Sequence, residues 1–194
     1  MKSALNSRPL LWLVLAIPAI AILGLWAFTP DAYGYGHAIK DSGKWAAWLL
    51  MATLAVTPVR LVFRRAKWTA WLMRRRRDLG VGSFAYAAGH LAVYLWHKGA
   101  VATVLAELGE TYLLTGWLAF ALFLPLAVTS NDVAVRRLKR TWKKLHRLVY
   151  PAAILTFVHW VLSAFDPTTA WIHIAILTVV ELVRVALQAR QRVT

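Results

Sequence analysis

The stretch "KKLHRLVYPAAILTFVHW" (143–160) decides the fold. It passes from a cluster of cations into an almost purely apolar run, and it carries His146 and His159. This change is typical of a helix that enters a bilayer, whose hydrocarbon layer requires about 20 predominantly apolar residues. The two histidines then need a function or a partner, because an unpartnered polar group at membrane depth is costly.

The composition of the whole chain also favours membrane insertion. Of 194 residues, 60% are hydrophobic and only 16% are charged, which is too apolar for an ordinary soluble domain of this length. The formal charge is +15, but the cations occur in bursts between apolar segments, which favours lipid headgroups over nucleic acid as their partners. The chain has no cysteine, which excludes disulfides, iron–sulfur clusters and covalent haem attachment through a CxxCH motif.

Six apolar segments are each near the length that a helix needs to cross a bilayer. Backbone in lipid must satisfy its own hydrogen bonds, and runs of this length predict α-helices rather than the short alternating strands of a barrel. The sequence therefore predicts an all-α polytopic membrane protein, a bundle of six transmembrane helices that forms one domain over residues 1–194. The segments run approximately from Leu10 to Phe28, Trp45 to Phe63, Leu79 to Trp96, Tyr112 to Ser130, Leu145 to Phe165 and Ala170 to Leu187.

The distribution of cations predicts the orientation of these helices. With a cytoplasmic amino terminus, 20 of the 23 Lys and Arg residues fall on the cytoplasmic side, as the positive-inside rule requires. We therefore expect both termini in the cytoplasm, and we interpret the basic runs 74–77 and 136–144 as topogenic segments in contact with anionic lipid. The cations on the opposite side are Lys40, Lys44 and Lys98.

Depth in the bilayer separates the histidines. At about 1.5 Å per residue from the cytoplasmic ends of their helices, His90 lies roughly 18 Å deep, His159 roughly 22 Å and His146 about 3 Å. His90 and His159 are thus at matching depth on helices that run the same way, which is the geometry of an axial pair on one iron porphyrin. A proton relay or buried hydrogen bonding is the alternative that the spacing leaves open. The histidines expected at or near the external interface are His37, His97 and His173.

Three segments resemble one known family. They are "RRDLGVGSFAYAAGHLAVYLW" (76–96), "PLAVTS" (125–130) and "RRLKRTWKKLHRLVYPAAILTFVHW" (136–160). These segments are similar to MsrQ, formerly YedZ, the haem-binding membrane subunit of the bacterial MsrPQ methionine sulfoxide reductase system. MsrQ lies within the ferric-reductase-like transmembrane superfamily. The similarity extends over all six predicted helices, and its specific part is residues 76–160.

The resemblance implies a set of cofactors and partners. His90, His146 and His159 match the haem-associated histidines of the family, which implies one or two b-type haems, and FMN is a further family cofactor. The resemblance also implies an inner-membrane protein that passes electrons from the quinone pool or a cytoplasmic flavin reductase to MsrP, a periplasmic molybdenum-cofactor enzyme. MsrP, and not this chain, would then reduce methionine sulfoxide in oxidised proteins.

Three further side chains are candidates for the cofactor pocket. Arg77 is placed to bind a haem propionate, because a guanidinium forks onto a carboxylate, although it also serves as a topogenic cation. Tyr86 and Tyr94 share a side of the third helix with His90 and are expected either to line the pocket or to pack in the bundle. His146 would need a second, unidentified ligand if it held another haem.

Two other functions fit the same residues. A stand-alone transmembrane reductase would pass electrons to ferric iron or another small acceptor without a dedicated protein partner. A small transporter would use its histidines as proton relays, and such a bundle would purify colourless. Glu181 and Arg184, three residues apart on the sixth helix, are expected to pair with each other rather than carry protons.

Overall fold

The protein is an all-α membrane protein, as the sequence predicts. The structure, a computed structural model, describes the backbone of residues 8–193 and the side chains of residues 8–190. Five helical segments in this range are long and apolar enough to cross a membrane. Lys2 and the side chain of Arg192, which contribute to the predicted orientation, lie outside the described residues. The helices are α1 (Arg8–Phe28), α2 (Tyr35–Val62), α3 (Lys67–Lys98), α4 (Val101–Ala106), α5 (Thr111–Val128), α6 (Asp132–Leu145), α7 (Val149–Ser163) and α8 (Thr168–Val193).

Two helices begin well before the apolar segments that predicted them. α2 begins at Tyr35, ten residues before the predicted Trp45, and α3 begins at Lys67, twelve residues before the predicted Leu79. Apolar length locates the hydrocarbon layer, whereas a helix continues beyond that layer as long as its backbone hydrogen bonds do. The basic run 74–77 is consequently part of α3.

The second basic run forms an amphipathic helix, α6, that was not predicted from the sequence. The side-chain oxygen of Asn131 accepts from the backbone N–H of Ala134 at 2.8 Å and caps its first turn. The backbone of α6 breaks at Lys139, which has φ 49°. A 3₁₀ turn at His146–Leu148 then leads into α7. Pro151 lies in the first turn of α7, where its missing N–H costs no helical hydrogen bond.

Two helix pairs, α2 with α3 and α5 with α7, make up the centre of the bundle. One buried cluster joins α1, α2 and α3, and a second joins α2, α5 and α7. Alanines at 152 and 153 of α7 are almost fully buried in the second cluster, so their small size brings helices together, as is common in membranes. The second cluster consists of Leu50, Leu54, Phe123, Leu126, Ala152 and Ala153.

Glu181 and Arg184 of α8 are partly buried, whereas large apolar side chains of α1 and α8 are exposed. The expected pair between Glu181 and Arg184 is confirmed, with a nitrogen–oxygen distance of 2.8 Å. The guanidinium of Arg184 also donates to the hydroxyl of Tyr150 on α7. An apolar outer surface on both peripheral helices is what contact with lipid tails requires.

Candidate functional site

His90 on α3 and His159 on α7 lie side by side between the two central helix pairs. Their ring centroids are 6.0 Å apart, and the planes of the rings are nearly perpendicular, at 83°. Both residues are partly buried. The structure therefore brings together the two histidines for which the sequence predicts matching depth.

Each ring of this pair is held by a backbone carbonyl of the neighbouring helix. Nδ1 of His90 lies 2.9 Å from the carbonyl oxygen of Ile39 on α2. Nδ1 of His159 lies 2.7 Å from the carbonyl oxygen of Tyr112 on α5. A carbonyl oxygen only accepts, so Nδ1 carries the hydrogen in each ring and donates it. The neutral imidazole then keeps the lone pair on Nε2, which is the nitrogen left to bind a metal.

Both rings also lie against a glycine. A β-carbon on Gly43 of α2 would lie 3.0 Å from Nδ1 of His90, and one on Gly116 of α5 would lie 2.9 Å from Nδ1 of His159. Only a residue without a side chain lets another group approach the backbone this closely. Neither glycine was predicted to contribute to the site, although each follows a carbonyl acceptor by four residues, the spacing of one helical face.

His146 lies apart from the pair, in the turn between α6 and α7. Its Nε2 is 3.0 Å from Oγ1 of Thr129, and its ring stacks on Trp142 with the centroids 3.9 Å apart. Oγ1 of Thr129 also donates to the carbonyl oxygen of Pro125 at 2.6 Å. A hydroxyl has one hydrogen to donate, so Nε2 of His146 is the donor to Thr129, and Nδ1 keeps the lone pair.

A cleft of about 460 Å³ opens beside His146. Its floor is apolar and includes Phe84, Phe123 and Leu126, while Trp142 forms part of its side. A flat apolar floor with guanidinium donors around it suits a planar ligand that carries an anionic group. The cations that line the cleft are Arg74, Arg76, Arg77, Lys143 and Arg147.

The central helices match a known family over more than half of the chain. Residues 42–157 correspond to the ferric reductase like transmembrane component. The chain belongs to this ferric-reductase-like family. Its matched segment contains Gly43, His90, Gly116 and His146 and ends two residues before His159.

Relatives of this ferric-reductase-like chain carry the name "protein-methionine-sulfoxide reductase heme-binding subunit MsrQ". The one from Xanthomonas axonopodis pv. citri (strain 306) is 37% identical over 176 residues, which cover 84% of this chain and 79% of the relative. The one from Xanthomonas campestris pv. campestris (strain B100) is 39% identical over 152 residues, with coverages of 72% and 67%. The one from Ralstonia nicotianae (strain ATCC BAA-1114 / GMI1000) is 36% identical over 166 residues, with coverages of 82% and 74%. The predicted resemblance to MsrQ is confirmed.

The other predicted pocket residues of this ferric-reductase-like chain make contacts with protein groups. Arg77 lies at the basic cleft and donates to the carboxylate of Asp132 at 2.7 Å. The hydroxyl of Tyr86 donates to a backbone carbonyl of α1 at 2.7 Å. The hydroxyl of Tyr94 donates to Glu107 at 3.1 Å. Arg77 is thus close to His146, while the two tyrosines connect α3 to neighbouring segments.

The remaining three histidines lie at the helix ends opposite the basic cleft. His97 stacks on Tyr35 with the centroids 3.7 Å apart, and His37 stacks on Tyr33 with the centroids 5.3 Å apart. His173 accepts a hydrogen bond from a tryptophan of α2 at 3.0 Å. Each of these rings has an aromatic neighbour instead of a second histidine, and the structure does not bring them to the central pair.

Proposed function

We propose that this chain is a membrane cytochrome that transfers electrons one at a time across the bacterial inner membrane. His90 and His159 would hold its b-type haem. The observation that carries the proposal is the pair of adjacent imidazoles, each held through Nδ1 so that Nε2 is left for iron. The name of the relatives, a heme-binding subunit, supports it.

The two histidines fit the axial positions of a haem. A histidine nitrogen binds a metal at about 2 Å, so the ring centroids of two imidazoles on opposite sides of one ion lie roughly 6 Å apart. The separation here is 6.0 Å. Within residues 8–190, no group of three or more His, Asp or Glu side chains is arranged to hold a metal ion, so a pair of histidines would suit a metal that a macrocycle already holds. A chain without cysteine holds such a haem without thioether bonds, as a b-type haem.

The residues around the histidine pair would set the ligand strength of each ring and the reduction potential of a bound iron. Bound haem supplies a one-electron couple. The carbonyl oxygens of Ile39 and Tyr112 hold the Nδ1 hydrogens, which sets the tautomer of each ring and makes its Nε2 a stronger ligand. Two imidazole ligands would leave oxygen no place on the iron, and the apolar surroundings would tune the reduction potential.

The proposed electron path runs through a bundle of six transmembrane helices, with both termini of the chain in the cytoplasm. Five helical segments meet the length and composition that a span requires, and α3 is the sixth. Residues 79–96 of α3 contain a histidine, two tyrosines and three glycines and are therefore less apolar than the five other spans, but they are long enough to span the hydrocarbon layer. With this orientation, the basic cleft faces the cytoplasm, and the histidine pair lies nearer the external face.

Electrons enter the chain at the basic cleft. Its volume of about 460 Å³ is within the usual range of small-molecule sites. A flavin such as FMN has a flat ring for the floor at Phe84 and Phe123 and a phosphate for the guanidinium groups at Arg74 and Arg77. We therefore assign FMN to this cleft, beside His146, with the quinone pool or a cytoplasmic flavin reductase as the donor.

The acceptor on the external side is a periplasmic molybdoenzyme of the MsrP type. The relatives are named as subunits of a methionine sulfoxide reductase. An iron with imidazole at both axial positions has no place for the sulfoxide, so the reduction of the sulfoxide belongs to the partner. This chain then contributes binding, orientation and transfer of single electrons.

Purified protein, expressed with ample porphyrin supply, tests the proposal. We expect a sharp Soret band that shifts on reduction, and rapid haem reduction when reduced FMN is added to inverted membrane vesicles, which expose the cytoplasmic face. A colourless preparation would exclude the cytochrome. Haem that is reoxidised by chelated ferric iron but not by the molybdoenzyme would identify a stand-alone reductase instead.

A further inference from the structure

One ring of the histidine pair lies against a glycine of α2. A β-carbon on Gly43 would lie 3.0 Å from Nδ1 of His90 and 3.1 Å from its Cε1. The carbonyl that accepts from Nδ1 belongs to Ile39, four residues before the glycine. In an α-helix this carbonyl already accepts from the N–H of residue 43, so the imidazole uses its second lone pair. A side chain at position 43 would cover that lone pair.

The other ring lies against α5 in the same way. A β-carbon on Gly116 would lie 2.9 Å from Nδ1 of His159, 3.0 Å from its Cε1 and 3.4 Å from its Cγ. The acceptor, Tyr112, is again four residues before the glycine. Non-bonded heavy atoms attract best at about 3.5–4.0 Å, so the ring and a β-carbon cannot both occupy these positions without displacement.

The neighbours of these two glycines separate ring positioning from ordinary helix packing. Small residues in membrane helices commonly allow two backbones to approach. At Gly43 and Gly116, however, the three atoms nearest to the added β-carbon all belong to an imidazole. Gly36, on the same helix as Gly43, has no atom within 4 Å of its β-carbon position. Each of the two glycines therefore makes room for a histidine ring rather than for a helix.

We propose that Gly43 and Gly116 are positioning residues for the two haem ligands. Each glycine lets an imidazole come close enough to the helix for Nδ1 to donate to the carbonyl four residues earlier. This contact fixes the rotation and tautomer of the ring and leaves Nε2 for iron. The inference rests on the proposed haem site, but the contact between glycine and histidine does not itself require haem.

The first test measures the coordination of the iron. In Gly43→Ala and Gly116→Ala, we expect haem affinity to fall about 10- to 100-fold, the usual effect of disturbing the groups that orient a metal ligand. The remaining haem is expected to change from a low-spin to a high-spin spectrum, more completely for Gly116→Ala, whose β-carbon lies closer to its ring. Gly36→Ala is the matched control and should keep the wild-type spectrum. A low-spin spectrum with wild-type reduction potential in both variants would overturn the proposal.

The second test uses the full-length chain expressed without haem supply and measures its thermal midpoint in detergent. Gly43→Ala should lower the midpoint when the ring of His90 is present and should leave it unchanged or raise it slightly once His90→Ala has removed the ring, because alanine is the better helix former. Gly116→Ala should couple in the same way to His159→Ala, and more strongly than to His90→Ala, because the ring of His159 is the one against Gly116. An equal loss in both backgrounds, or a failure to fold that persists in the double variants, assigns the glycines to helix packing and overturns the proposal.

The two tests also separate this inference from the proposed function. If the wild-type chain contains no haem, the cytochrome function is excluded. The coupling between glycine and histidine would still be measurable in the second test. If the chain binds haem but the coupling is absent, the proposed function stands and only the positioning role of Gly43 and Gly116 is excluded.

Discussion

His159 and His146 lie on one stretch of chain, thirteen residues apart, and are held in opposite ways. His159 donates from Nδ1 to a carbonyl of α5 and keeps the lone pair of Nε2. His146 donates from Nε2 to Thr129 and keeps the lone pair of Nδ1. The same residue type thus presents different nitrogens, because the group that accepts its hydrogen decides which lone pair remains. Depth in the membrane alone does not determine this.

The surroundings of the two sites differ as well. The histidine pair lies where two helix pairs meet, with a glycine against each ring. His146 lies at a cleft lined by five Lys and Arg side chains. Two opposed imidazoles suit a metal in a flat macrocycle, whereas a cationic wall suits an anionic ligand. Under the proposed function, the histidine pair therefore holds the haem, and His146 belongs to the basic cleft.

The largest effect is expected from substitutions that remove one histidine of the central pair. His90→Ala and His159→Ala should each abolish the bound haem, because each removes one of the two side chains that would hold the iron and the chain has no cysteine to attach the porphyrin covalently. His146→Ala should retain the haem. Haem per polypeptide, measured by pyridine haemochromogen absorbance, checks all three variants, and His37→Ala serves as the control. Full haem content in His90→Ala or His159→Ala would contradict the assignment of that residue.

The next largest effect is expected at His146, the histidine of the basic cleft. In His146→Ala we expect reduction of the haem by cytoplasmic reduced flavin to slow about tenfold, as when a group next to a cofactor is removed, because the ring lines the cleft beside Trp142. Stopped-flow measurements on inverted vesicles give this rate. Reduction by dithionite in detergent should be unchanged, and loss of the haem in this variant would show that His146 is itself a ligand.

A smaller effect is expected when only the anchor of His146 is removed. Thr129→Val deletes the hydroxyl that accepts from Nε2. A hydrogen bond of this kind contributes about 1 kcal/mol, which corresponds to a factor of about 5, so the same rate should fall less than in His146→Ala. Thr178→Val, whose hydroxyl donates to a carbonyl of its own helix α8 and does not line the cleft, is the matched control. An effect of Thr129→Val as large as that of His146→Ala would indicate a role for Thr129 beyond holding the ring.

The all-α fold and the meeting of His90 with His159 were predictable because both depend on distance along the chain. Apolar length reports the thickness of the hydrocarbon layer, and a fixed rise per residue converts position into depth. The start of α3 at Lys67 was not predictable in this way, because charged residues continue a helix outside the layer. The helix α6 was missed for the same reason, since its basic residues were interpreted only as a topogenic segment.

The anchors of the ligands depend on which helices are neighbours, and one sequence does not report this. Gly43 matters only because α2 packs against α3, and Gly116 only because α5 packs against α7. A weak signal was present, since α2 and α5 share the sequence "LAVT" at 54–57 and 126–129, eleven residues after one glycine and ten after the other.

The smallest expected effect concerns the external end of α3, the helix that carries His90. Nζ of Lys98 lies 2.5 Å from Oε1 of Glu107, and this hydrogen bond, together with that from Tyr94, lowers the pKa of Glu107. A carboxylate with a lowered pKa stabilises the folded state above its ordinary pKa of about 4.3, and the contribution is lost as the pH falls through the folded value. Because the pair is only partly buried and solvent reaches both side chains, the stabilisation is small and is screened by salt.

Glu107→Gln therefore should lower the thermal midpoint of the purified protein slightly at pH 7. The difference from the wild type should shrink as the pH falls below about 4.3, where the wild-type carboxylate also becomes protonated. Differential scanning fluorimetry from pH 7 to below about 4.3, at low and high salt, measures this difference in thermal midpoint. Glu110→Gln on the same external segment is the matched control. A difference that grows toward acid pH would contradict the sign of the pKa shift and would remove the ion pair as a support for the external end of α3.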